Sequence, residues 1–176
     1  MAELAASQAT PANPACAQAS ILAQGIALNI VAQQNEVSSV NTIARILQAT
    51  TVDMQQFTAA KEDLLTFVNT GIAIRQMNQQ VTPRGNAATA GLAIVANAQL
   101  TELGLATNLT GNPKTDLPNV ATLQMDFSGG IQQNMKNQQA ALAGCTGAAG
   151  TAPPAPANAS NAVPGMLRRT SQAFTG

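Results

Sequence analysis

The side chains able to do chemistry are few. No histidine occurs anywhere in the 176 residues. That removes the usual general base, the Ser–His and Cys–His nucleophile pairs and the imidazole metal ligand. Two cysteines remain, Cys16 and Cys145, with eight carboxylates: Glu3, Glu36, Asp53, Glu62, Asp63, Glu102, Asp116 and Asp126. The cysteines are either two buried thiols or one disulfide. Their places at the outer ends of the helical region favour the disulfide, which requires an oxidising compartment and leaves no thiolate. Glu62 and Asp63 adjoin in sequence but diverge on a helix, where only third and fourth neighbours meet. Beside Lys61 they read as a solvated face rather than an acid/base pair. The Glu-x-x-His signature of di-metal bundles is absent. Gly129-Gly130 lies inside a helical pattern, with no preceding strand and no following lysine, so it makes no phosphate loop. Arg75, at the end of Gly71-Ile72-Ala73-Ile74-Arg75, follows an inner-face run. It either lays its stem along the surface, pairs inside with Glu102 as candidate partner, or clamps a ligand carboxylate. These residues predict a non-enzyme with no metal and no cofactor.

Four helical stretches must position them. In the first, Pro14 to about Leu47, Ala23, Ile26, Ile30, Val37, Val40, Ala44 and Leu47 recur at steps of three and four. One heptad before Ala23 stands Cys16, on the same seam. Asn13-Pro14 is a cap followed by a first-turn proline. Gly25, Gln33-Gln34-Asn35 or Ser38-Ser39 could bend or break this helix. The second helix, about Asp53 to Gln80, presents Phe57, Ala60, Leu64, Phe67, Gly71 and Ile74. The third, about Asn86 to Thr107, presents Leu92, Val95, Ala96, Gln99, Leu100 and Leu103. After a Gly- and Pro-containing loop, Leu109 to Pro118, the fourth runs from about Asn119 to Gly144. Val120, Leu123, Phe127, Ile131, Met135, Gln138 and Leu142 lead along it to Cys145. No convincing internal repeat is read. The expected fold is all-α: an up-down-up-down four-helix bundle over residues 14–145, closed by one disulfide between its two ends. A flexible arm, residues 1–13, precedes it. A disordered Pro/Ala-rich tail, residues 146–176, follows and carries a short basic spot at Met166-Leu167-Arg168-Arg169 that could be processed.

Composition narrows the function further. Hydrophobic residues make up 45% of the chain but aromatic ones only 2%, which suits close-packed helices better than a β-sandwich. Charged residues are 9%, with a formal net charge of +0, so the basic patch that nucleic-acid binding needs is missing. No signal peptide is visible. The most apolar stretch, Ile21 to Ala32, is interrupted by Gln24, Gly25 and Asn29 and reads as too short to span a membrane. Asn108-Leu109-Thr110 and Asn158-Ala159-Ser160 are candidate N-glycosylation triplets in expected loops, at Asn108 and Asn158.

Gly25, Gly71, Gly91 and Gly130 fall on helices. Close helix packing is one reading; an apolar cavity for a lipid or other hydrophobic small molecule is the other, with Ile30, Gly71, Ile74, Arg75, Leu92, Phe127 and Ile131 as its candidate lining.

From Asn13-Pro14-Ala15-Cys16, through Phe57-Thr58-Ala59-Ala60-Lys61, Gly71 to Arg75, Gly85-Asn86-Ala87-Ala88 and Glu102-Leu103-Gly104-Leu105, to Cys145, the chain resembles small secreted or cell-wall-associated proteins of filamentous (ascomycete) fungi. A looser likeness is to helical wall mannoproteins and hydrophobic-surface-binding proteins. The resemblance implies an extracellular or cell-wall location and a surface or interaction role, with effectors that act on a host among its members. The expected function is therefore a non-enzymatic secreted surface or interaction protein, monomeric, with a protein or cell-wall partner. The alternatives are a hydrophobic-ligand carrier and a surface-active protein that opens at an interface.

Overall fold

The computed structural model describes residues 13–145, which form four helices. The expected arm (apart from Asn13), the tail with its basic spot, and Asn158 lie outside the described residues. Helix α1 runs Pro14–Leu47, α2 Met54–Val81, α3 Thr89–Thr107 and α4 Pro113–Ala141. Helix α1 packs on α2 and α4, and α3 packs on the same two, so the four form a closed ring. Cys16 and Cys145 are bonded to each other, tying the first turn of α1 to the short turn beyond the end of α4.

The caps explain where the helices begin. The Asn13 side chain accepts from the Ala15 amide, and Pro14 follows it in the first turn. Asp53 accepts from the amides of Gln55 and Gln56, and Asn112 accepts from Lys114. Each side-chain oxygen replaces a partner that a helix start lacks. The Asn112 cap corrects the expected loop from Leu109 to Pro118. With Asn112 capping and Pro113 in the first turn, α4 begins six residues earlier than expected and takes Pro118 inside it. Pro118 lies close enough to the start for its missing N–H to break only one bond of the ladder. Helix α3 begins later than expected, at Thr89, because Asn86 turns the chain first: its side chain accepts from Ala88 and donates to the Ala141 carbonyl. Helix α1 is continuous through Ser38-Ser39. By length and composition α1 could also cross a membrane; here its inner face is packed in the bundle.

Two apolar clusters occupy the ends of the bundle. One gathers Val40, Ile43, Leu47, Phe57, Leu64, Val68, Ala106, Leu109, Val120, Leu123 and Phe127. The other, nearer the disulfide, gathers Leu22, Ala23, Ile26, Ala88, Leu92 and Ala141. Several expected inner residues are not inside. Val68 rather than Phe67 is buried on α2, and Leu100 and Met135 stand in solvent. Reading apolar residues alone makes the seam drift, because the true inner face passes through polar positions between the clusters.

Those positions reveal an internal repeat, which corrects the expectation of none. Gly25, Gln33 and Glu36 on α1 recur at the same spacing as Gly91, Gln99 and Glu102 on α3. Gly71-Ile72, Asn78-Gln79-Gln80 on α2 recur as Gly130-Ile131, Asn137-Gln138-Gln139 on α4, with Leu64 and Leu123 ahead of them and the caps Asp53 and Asn112 further upstream. The bundle is built of two helical hairpins that share this pattern, though α1 has 34 residues and α3 only 19. The contacts repeat with the sequence. A Cβ on Gly25 would strike the Asn78 side chain, and one on Gly91 would strike Asn137. A Cβ on Gly71 would crowd the Gln99 amide, and one on Gly130 would strike that of Gln33. The first pair of contacts lies within a hairpin and the second lies between hairpins. Each of these four glycines is thus a notch that receives a polar side chain from a neighbouring helix.

Candidate functional site

Between the apolar clusters lies a layer of buried polar side chains. Asn29, Gln33 and Glu36 come from α1, Arg75 and Asn78 from α2, Gln99 and Glu102 from α3, and Asn134 and Asn137 from α4. Burying so many polar groups is costly unless they bond one another. Most do. Asn29 Nδ2 donates to the Gly71 carbonyl at 2.7 Å. Asn134 Nδ2 donates to both Asn29 Oδ1 (2.7 Å) and Gln33 Oε1 (2.9 Å), so α4 is tied to α1 twice. Asn137 follows, donating to Asn134 Oδ1.

Arg75 occupies the position in α2 that Asn134 occupies in α4. Its Nε donates to Gln99 Oε1 at 3.1 Å, as Asn134 donates to Gln33, and its Nη1 donates to Gln79. The expected approach to Glu102 does not become a bond: neither Glu102 oxygen has a hydrogen-bond partner. Arg75 takes the nearer amide oxygen of Gln99, one helical turn earlier on α3. Burial lowers the guanidinium's affinity for its proton.

Glu36 and Glu102 are the unusual members. Both are fully buried, and none of their four carboxylate oxygens has a partner. A buried, unpaired carboxylate is unfavourable, so each group holds its proton. Burial, with the nearby Glu102 charge second, raises Glu36 from 4.5 to about 8. Burial, with Asp126 second, raises Glu102 from 4.5 to about 7. The glutamates stand at equivalent positions of the two hairpins, on helices that do not pack on each other. A Cβ on Gly71 would sit 2.8 Å from Glu36 Oε1 and 3.2 Å from Gln99 Nε2, so Gly71 leaves room there for polar atoms of α1 and α3.

The seven residues proposed as a cavity lining are divided among different surroundings. Gly71 and Arg75 belong to the polar layer, Leu92 to one apolar cluster and Phe127 to the other. Ile30 is buried, while Ile74 and Ile131 are half-buried. A surface groove of about 450 Å³ lies elsewhere, at the disulfide end, lined by Gln18, Ile21, Val81, Thr82, Pro83 and Arg84 among others. Asn108 is exposed at the end of α3.

Two further charged side chains hold the loop between α3 and α4. Asp116 is fully buried and accepts from the amides of Thr110 and Gly111, both at 2.7 Å, and from the hydroxyls of Thr110 and Thr115. Lys61 Nζ donates to the carbonyls of Thr107 and Leu109, which close the C-terminal end of α3. Among the described residues no cluster of three or more His, Cys, Asp or Glu side chains could hold a metal ion. Reading the sequence for paired acids gave Glu36 and Asp116 no role and Glu102 only that of a partner for Arg75. Spacing equivalent to a partner residue on another helix was the signal that could have found the first two.

No family model, curated protein or solved structure matches this chain.

Proposed function

We propose that this chain is a non-enzymatic extracellular protein that acts through contact at its outer surface, with hydrophobic surfaces as the class of partner. One observation carries this. Glu36, Glu102 and the amide network around them are sealed inside, while the exterior carries few charges beside many amides and large hydrophobics. Among the described residues Ile21, Leu28, Met54, Met77, Val81, Ile94, Leu100, Met125 and Met135 are all 45% or more exposed. A catalytic group must reach its substrate; Glu36 and Glu102 face only other side chains. An exterior with so few charges also offers little electrostatic resistance to adsorption. The disulfide supports an oxidising location. The ring of helix neighbours and the short connections support an up-down-up-down course, in which the disulfide clamps one end while the exterior faces its partner.

The test is depletion of the purified full chain from solution by alkyl-coated beads, compared with hydroxyl-coated beads of equal area. Replacing Leu28, Leu100 and Met125 together by Gln should reduce uptake on the alkyl beads several-fold, because each buries on the order of 2 kcal/mol of apolar surface when it docks. Equal uptake by both bead types, unchanged in the triple variant, would overturn the proposal.

A further inference from the structure

We propose that Glu36 and Glu102 form a proton-operated latch in the buried polar layer between the two hairpins, which closes only while both carboxyls are neutral. Four observations converge on it. The residues are equivalent members of the repeat, one from each hairpin. Both are fully buried, without a bond to any of their four oxygens. They lie in a buried layer where the hairpins meet through polar groups, as Asn134 meets Asn29 and Gln33, and as Arg75 meets Gln99. Gly71, where a side chain would crowd Glu36, keeps the space into which that carboxyl reaches.

The charged groups around the pair leave it without a counter-ion. On α1 the only other charge is Arg45, exposed and bonded to Thr42. On α2, Arg75 donates to Gln99 and Gln79, Lys61 is held by the carbonyls of Thr107 and Leu109, and Glu62 and Asp63 are exposed. Helix α3 carries no charge besides Glu102. On α4, half-buried Asp126 adds repulsion, Asp116 is bonded within its loop, and Lys114 and Lys136 are exposed. Loss of a proton from either glutamate therefore places an unpaired charge in a buried layer that closes only when both are neutral. Above the ordinary carboxyl range the unfolded chain has given up protons that the fold still holds, so rising pH favours opening. The latch is shut in acid and loosens through neutral pH.

Two measurements on the disulfide-bonded full chain test it. In the wild type, carbon-13 titration of the glutamate side-chain carboxyls should show two midpoints near 8 and 7, against 4.5 for an ordinary glutamate. Its thermal midpoint should fall steadily between about pH 5 and pH 8 and level off above. The double variant Glu36→Gln, Glu102→Gln should show no fall across that window and should exceed the wild type at pH 8. All glutamate titrations near 4.5, or a wild-type midpoint that is flat or rises between pH 5 and 8, would overturn the latch without needing the variant to fold. A wild-type midpoint at pH 8 restored by millimolar calcium or magnesium would also overturn it, since the carboxylates would then be holding a cation in place of protons.

Discussion

Gly129 and Gly130 are neighbours in α4, yet alanine should act on them with opposite sign. Both sit in a helix interior, where Gly to Ala gains about 1 kcal/mol from propensity. A Cβ on Gly129 meets nothing within 4 Å, so Gly129→Ala keeps the whole gain. A Cβ on Gly130 lands on the Gln33 amide, which is 1% exposed and accepts the Asn134 bond that ties α4 to α1. Gln33 is fenced in by that layer, so it yields only by breaking the bond and leaving a buried donor and acceptor unpaired. That costs about 3 kcal/mol when the overlap is included. Against the propensity gain, Gly130→Ala should lose about 2 kcal/mol net. The two variants then differ by about 3 kcal/mol. For a chain of this size, at 2–4 °C for each kcal/mol, that separates their thermal midpoints by roughly 9 °C. Thermal and urea unfolding of the oxidised proteins measure it. Two variants shifted in the same direction would refute the notch as the reason for Gly130.

Further outcomes follow from the same contacts. Gly25→Ala and Gly91→Ala should each destabilise, by similar amounts, since the same asparagine of the repeat fills both notches; a neutral result at one and a large loss at the other in urea titration would contradict the repeat. Asp116→Ala should cost about 3 kcal/mol by stranding the amides of Thr110 and Gly111, and Asp116→Asn, which keeps an acceptor, should lose less; amide exchange at those two residues would report it. Reducing Cys16–Cys145, which spans 129 residues, should lower the thermal midpoint by on the order of 10 °C with far-ultraviolet ellipticity at 20 °C nearly unchanged, because the chain-entropy stabilisation of such a loop is at most about 5 kcal/mol while the helical seams still bury one another.

The helices and the disulfide were legible in the sequence because their signals are local or apolar. Asn13-Pro14, Asp53 and the three-four spacing of Leu, Ile and Val mark elements whatever surrounds them. The middle of the bundle was not legible for a physical reason. Its inner face runs Asn29, Gln33, Glu36 on α1 and Arg75, Asn78 on α2, and hydrophobic periodicity reads such residues as surface. Only partners on other helices make them interior. The apolar seam followed without them slid onto Phe67, Leu100 and Met135. The repeat was hidden for the same cause: it is carried mainly by glycines, amides and the glutamate pair. The start of α4 was missed because Pro118 suggested a loop, while the Asn112 cap and Pro113 had already begun a helix that tolerates a proline in its second turn.

In the proposed function the polar residues serve the fold and the exterior makes the contact. Circular dichroism of the intact protein adsorbed on an alkyl-coated surface, beside the same protein in solution at pH 5, tests this most directly. Retention after rinsing, with the solution helicity preserved and with no retention on a hydroxyl-coated surface, is the expected result. Failure to adsorb, or equal retention on both surfaces, would contradict it.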